Sequence, residues 1–238
     1  VSIDESNSVN VSSNVITNVP KYGIELAGSS NCTVSANAID AGNIGSICEG
    51  IILSKAGSEN NTISSNSIKG ASFHAIRVAL GNTGNSVLGN TIEHSATTDA
   101  IVIESDSNSV TGGTINGLST CVTAIHVSQS SNCTVSGVVI KNAVTDAVKI
   151  STTSAAIDSV TVTGVSSNNS AYISLSVGGS GSAGARIKAI GNVRVGASYD
   201  WLDMKNNVRV QTGTGTPEGV WVGGIGSTFY RTDGGAGT

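Results

Sequence analysis

Aromatic residues make up 3% of this 238-residue chain, and only 12% of it is charged. There are two prolines, one methionine and four cysteines. Each shortage excludes something. A formal net charge of −4 offers no basic face, so no nucleic-acid partner is expected. No apolar run approaches the ~20 residues of a membrane span, so no membrane insertion is expected either. No signal peptide is visible, and the chain opens on Val1 rather than Met, so it is read as a piece of something longer. The shortage of aromatics bears on sugar chemistry. Between Val1 and Ala197 they are Tyr22, Phe73 and Tyr172 alone, which leaves few rings for a sugar to stack on.

What is abundant is Gly, at 30 residues, together with Ser, Thr and Asn, with Val and Ile set among them at short intervals. Disordered chains lack β-branched apolar residues. Here those residues keep a regular beat, which favours an all-β repeat. Six segments align: SVNVSSNVI (8–16), NCTVSANAI (31–39), NNTISSNSI (60–68), GNSVLGNTI (84–92), SNSVTGGTI (107–115) and NCTVSGVVI (132–140). A weaker copy covers 159–167. The anchors Val11, Val34, Ile63, Val87, Val110 and Val135 are spaced by 23, 29, 24, 23 and 25 residues. A second motif follows each copy: GIEL (23–26), GIIL (50–53), AIRV (75–78), AIVI (100–103), AIHV (124–127) and AVKI (147–150).

Both motifs alternate apolar and polar residues, as half-buried strands do. A unit of about 25 residues cannot cover its own apolar face, so units must stack. The expected fold is therefore all-β. It is a right-handed parallel β-helix of about seven coils over 1–184, then a transition or cap over 185–211 and a small β-rich module over 212–238. Handedness follows the crossover preference of parallel strands. At one strand spacing per coil the rod is ~35 Å long. Ile24, Ile51, Ile76 and Ile101 should form one buried file. Asn14, Asn37, Asn66 and Asn90 share a repeat position, where Asn suits a left-handed turn and stacked amides bond along the rod.

Cys32 and Cys133 fill equivalent places four coils apart, ~19 Å along the rod. Cys48 and Cys121 lie three coils apart. A disulfide needs Cα atoms within about 7 Å, so four free, mostly buried thiols are expected. No CxxC pair or dense acidic triplet appears, so no metal and no cofactor is expected. Five Asn-x-Ser/Thr triplets, such as Asn31-Cys32-Thr33, fall within the frequency of a chain this rich in Asn, Ser and Thr.

Stacking also builds columns on the outside. The position before the second strand reads Tyr22, Glu49, His74, Asp99, Thr123 and Asp146. Glu49, His74 and Asp99 are the candidate catalytic residues, since carboxylates flanking an imidazole suit acid–base work on a polysaccharide. The outward position within that strand reads Glu25, Ile52, Arg77, Val102, His126 and Lys149, with Glu104 diagonal to Arg77 and His126. Arg77, Glu104, His126 and Lys149 are the candidate polysaccharide-binding residues. The competing reading of both columns is a solvated charge ladder on the outer face. A third column, Thr17, Asp40, Lys69, Glu93, Asn116 and Lys141, alternates in sign and needs no role beyond cross-strand pairing.

Five of the eight aromatics follow Ala197: Tyr199, Trp201, Trp221, Phe229 and Tyr230. Trp201, with Leu202 and Met204, suits a cap or a subunit contact. The last segment, TPEGVWVGGIGSTFYRTDGGAGT (216–238), resembles a short module near the C-terminus of phage tail fibre and tailspike proteins. The matching residues are Pro217, Glu218, Gly219, Gly226, Ser227, Tyr230, Arg231, Thr232, Asp233, Gly234 and Gly235. The coils resemble the pectate-lyase-like repeat, common to tailspikes, lyases, hydrolases and epimerases. The resemblance implies a phage tail spike or fibre protein, made in the host cytoplasm and mounted on the virion. It implies a homotrimer whose partners are other tail proteins and host-surface polysaccharide. Some family members bind the glycan and others depolymerise it. The runner-up is a capsule or O-antigen depolymerase. A third reading is a secreted bacterial pectin-lyase-like enzyme.

Overall fold

The computed structural model describes residues 1–42, 47–168, 172–177, 182–183, 187–195, 200–203, 210–213 and 228–231. Each coil contributes two short strands and a third that is long in most coils but shrinks to Ile76–Val78 in one. In the second coil these are Thr33–Ser35, Ala38–Asp40 and Glu49–Lys55. Equivalent strands of successive coils pair in parallel. The described residues form one eleven-stranded sheet that holds the long strands, two eight-stranded sheets of the short ones, and a two-stranded sheet of Ala156–Ile157 with Ser182–Ala183. No α-helix occurs among them. The chain is a parallel β-helix of about seven coils, as the repeat spacing predicts.

Register follows the apolar anchors. Ile24, Ile51, Ile76, Ile101, Ile125 and Val148 pair in turn and are buried. Val11, Val34, Ile63, Val87, Val110, Val135 and Val162 make a second file. Ile39, Ile68, Ile92, Ile115 and Ile140 make a third. The three files meet in a single core. Each buried Val or Ile contributes roughly 1.5–3 kcal/mol.

Corners are held by amides. Asn66 donates from Nδ2 to the Val34 carbonyl (3.0 Å) and to Asn90 Oδ1 (3.0 Å). Its own Oδ1 accepts from the Asn37 backbone N–H and from Asn37 Nδ2, both at 2.9 Å. Asn37 bonds Val11 in the same way, and Asn14 joins from the first coil. The left-handed residue of this corner precedes the Asn, contrary to the sequence expectation. Ser13, Ala36, Ser65, Gly89 and Gly112 have positive φ. The bend made there turns the next side chain inward, where its amide replaces strand hydrogen bonds lost at the corner. Gly113 takes the Asn position in its coil with φ +86°, and a Cβ there would meet Asn90 O at 2.4 Å.

A second ladder runs through Asn61, Asn85 and Asn108. Asn61 N–H donates to Asn85 Oδ1 (2.9 Å), and Asn85 N–H to Asn108 Oδ1 (2.8 Å). Cys32 and Cys133 stand at its two ends. Cys32 N–H donates to Asn61 Oδ1 (2.8 Å), while Cys32 Sγ accepts from Val9 N–H (3.4 Å). All four cysteines are free and buried. Burial raises the Cys121 thiol to about 12 and Cys133 to about 11.

The sheets continue past residue 184. Lys188–Ile190 pairs with Thr161–Thr163, and Val193–Val195 with Ser166–Asn168. Asp200–Asp203 extends the long-strand sheet, pairing with Tyr172–Val177. Val210–Gly213 then adds antiparallel and Thr228–Arg231 parallel to it. Most of the C-terminal motif, including Pro217, Glu218, Gly219, Gly226, Ser227 and 232–235, lies outside the described residues, as does Trp221.

Candidate acid–base site on the long-strand sheet

The outward columns fall in the expected register. Tyr22 pairs with Glu49, and Asp99 with Thr123 and then Asp146. Glu25, Ile52, Arg77, Val102, His126 and Lys149 run across the same sheet in order. Within this patch the ionisable groups separate into two arrangements.

In the first, His74 Nδ1 lies 3.1 Å from Glu49 Oε1, and Arg77 Nη1 lies 3.5 Å from the same oxygen. Arg77 also donates from Nε (2.9 Å) to Glu104 Oε2. Glu49 is 1% exposed and His74 8%. A solvated ladder is therefore not what forms here. The column sits where the chain bends into the strand, and the Phe73 ring lies against His74 with centroids 4.0 Å apart. Arg77, three residues past His74 in the strand Ile76–Val78, closes over the carboxylate. Glu49 Oε2 is buried and finds no partner among the described residues. Arg77 keeps its proton even more firmly than usual. Burial works against the charge, but Glu104 and Glu49 outweigh it.

In the second arrangement Asp99 turns away from His74 toward the next coil. His126 Nδ1 lies 2.7 Å from Asp99 Oδ2, and His126 Nε2 lies 2.7 Å from Ser151 Oγ. The side chains of His126 and Asp99 are 16% and 22% exposed, and Ser151 is half-buried. Burial alone would raise the Asp99 carboxyl. Hydrogen bonds from His126 and Thr123 reverse that and hold it below its usual value. An ionised Asp99 fixes the Nδ1–H tautomer, which leaves Nε2 to accept the Ser151 hydroxyl. Beside this trio, burial pushes the Asp146 carboxyl up, against the Ser174 hydroxyl and the Lys149 charge.

Of the candidate catalytic trio, Glu49 and His74 are thus bonded to each other, while Asp99 is stacked on them but bonded elsewhere. Arg77 and Glu104 join Glu49 and His74, while His126 joins Asp99. Lys149 follows His126 in register. Ser151 and Thr123 were not singled out by sequence. Serine is common here, and only the diagonal reach of His126 across coils distinguishes Ser151. His94 was missed as well. Thr98 Oγ1 donates to the Phe73 carbonyl and accepts from His94 Nε2–H (3.1 Å). Buried His94 therefore carries its proton on Nε2, and Nδ1 finds no partner among the described residues. Burial and the nearby His74 drive its pKa down to about 4.

A groove of about 340 Å³ lies elsewhere, along the third column, and is lined by Asp40, Lys69, Glu93 and Leu118 among others. The Lys69–Asp40 ion pair (3.1 Å) borders it, as cross-strand pairing predicts. Among the described residues no three His, Cys, Asp or Glu side chains converge as a metal site.

Residues 1–92 match the family model described as a right handed beta helix region. The expected handedness stands on that match. No curated protein matches. Among solved structures the chain is similar to an alginate lyase from Paenibacillus sp. str. FPU-7. Identity is 17%, coverage is 80% of this chain and 75% of that chain, and the TM-score is 0.38. A likeness of that size leaves the activity of this chain open.

Proposed function

We propose that this chain is the β-helical body of a phage tail spike or fibre protein, and that it binds host-surface polysaccharide through the outer face of its long-strand sheet. The observation that carries this reading is the placing of Arg77, Glu104, His126 and Lys149 on adjoining coils of one continuous sheet. A rigid row of cations and acceptors at strand spacing suits a repeating, charged polymer. The C-terminal motif adds the tail assignment, and with it the homotrimer and the virion. Light scattering at native concentration tests the trimer. Binding to a panel of anionic capsular glycans tests the face. The R77A/K149A double variant should lose roughly tenfold in affinity, which is about 1.4 kcal/mol. Unchanged affinity in that variant would move the site elsewhere.

A depolymerase is the second reading, favoured by the imidazole of His126 held against Asp99 within the same face. Glu49 is too deeply buried to touch a glycan, so acid–base work would fall to His126. Reducing-end release, or the absorbance of a new double bond, reads this out. Activity unchanged in D99N would remove the site from consideration.

A further inference from the structure

We propose that Ser151, His126 and Asp99 form a nucleophile–base–carboxylate triad that hydrolyses carboxylic esters, with acyl substituents on a polysaccharide as the substrate class. The glycan half of this statement rests on the reading above, whereas the ester chemistry does not.

Three successive coils supply one residue each. Asp99 lies in the strand Asp99–Ile103, His126 in Thr123–Ser128 and Ser151 in Asp146–Thr152. These strands are hydrogen-bonded neighbours in fixed register. The three groups run diagonally across them, with both contacts to the imidazole at 2.7 Å. That is the distance at which a base takes a hydroxyl proton. A ladder that only satisfied polar groups would not need a serine that still reaches solvent at its end. Asp99 also accepts from Thr123, which fixes the carboxylate before any substrate arrives. The strand backbone makes the array rigid, as a preorganised site requires.

The chemistry closes on these groups and water. Ser151 Oγ attacks the ester carbonyl carbon as its proton passes to His126 Nε2, and the carbonyl π electrons move to oxygen. Collapse of that intermediate breaks the carbon–oxygen bond to the leaving alcohol, which takes the proton from His126. Water then attacks the acyl-Ser151 ester, again through His126. Carboxylic acid leaves, and the serine hydroxyl is restored. Asp99 stays ionised throughout and stabilises the imidazolium. Ser151 lies within the paired ladder between Ser128 and Ser176, so its backbone is committed to the sheet. Charge on the oxyanion must therefore be met by side chains. Lys149, two residues earlier on the same face, is the cation placed to do so.

The test uses the intact chain and a fluorophosphonate probe, with the adduct located by peptide mass. Labelling is expected at Ser151 and not at Ser128 or Ser176. H126A should slow it roughly 100-fold or more, and D99N should slow it too, with thermal midpoints showing that both variants are folded. S151A should abolish turnover of 4-nitrophenyl acetate. No adduct at Ser151 on folded protein, or equal labelling of all three serines, overturns the triad. Acetate release from an O-acetylated capsular glycan supports the full proposal. Labelling and 4-nitrophenyl acetate turnover without release from any glycan would keep the esterase and remove the polysaccharide. Glycan binding with an inert Ser151 would do the reverse.

Discussion

The inner corners of this rod and the outer face of its long-strand sheet are built from the same coil repeat, yet they use it in opposite ways. Inside, Asn37, Asn66 and Asn90 make nearly the same bonds from one coil to the next, and exposed Asn14 joins them from the first coil. Outside, no two coils agree. Glu49 meets His74 and Arg77, whereas Asp99 passes over His74 for His126 and the serine beyond it. Where the repeat is kept, each polar group is satisfied by its copy and the result is stability. Where the repeat is broken, each side chain finds an unlike neighbour, and unlike neighbours can move protons. The comparison assigns scaffold to the first region and chemistry to the second.

The largest expected effect comes from breaking the inner region. Asn66→Ala leaves the buried Asn37 N–H without its acceptor. It also removes one bond each from the Asn37 amide, the Val34 carbonyl and the Asn90 amide oxygen, although Asn37 keeps the Val11 carbonyl and Asn90 keeps the backbone N–H of residue 66. The bare N–H costs about 1–3 kcal/mol and each further lost bond about 1 kcal/mol, so a loss of about 4 kcal/mol is expected. Denaturant unfolding measures it. A loss under about 1 kcal/mol would mean that the ladder follows the fold rather than supporting it.

Next in size is His94, which lies beneath the outer face but behaves as part of the core. Its pKa falls from 6.5 to about 4 on folding because burial excludes the charged form, with His74 adding to the effect. The depressed value means that the unfolded chain takes up a proton first. Stability is therefore full above about pH 6.5 and falls as pH drops toward 4. The total loss is roughly 3 kcal/mol. In His94→Gln this part of the acid sensitivity should vanish. An unchanged slope of stability against pH between 6.5 and 4 would show that another group carries it.

The repeated region was legible in the sequence for a physical reason. Ile24, Ile51, Ile76 and Ile101 share a spacing because they share a file, and an apolar file cannot slip by one residue without facing water. The columns of Tyr22, Glu49 and their successors came with that register. The second amide ladder was harder to read, because Cys32 and Cys133 replace Asn at its ends. The side-chain pairing of the outer face was not legible. Register places Asp99 opposite His74 and three residues short of His126, so it points to the wrong partner, and side-chain rotamers overrule it. Nor did alternation reveal that Glu49 and His74 would be buried. A period of two gives the face of the strand but says nothing of the bend that brings Phe73 and Arg77 over it.

The smallest expected effects set the two outer columns against each other. Arg77→Met removes the cation shared by Glu49 and Glu104 while keeping most of the stem. Glu49 is then left in the interior with His74 alone, so a loss of about 2 kcal/mol is expected, above the range of a surface pair. Lys69→Met deletes the partner of Asp40 in the third column, where both side chains face solvent. Water replaces that partner, and the unfolding midpoint should not move measurably. If the two variants behaved alike, the patch around Glu49 would be one more solvated ladder. A difference between them would confirm that coil stacking alone does not decide which column carries buried charge. The turn feeding each strand decides it, because it sets whether a carboxylate at the same register meets water or a neighbour.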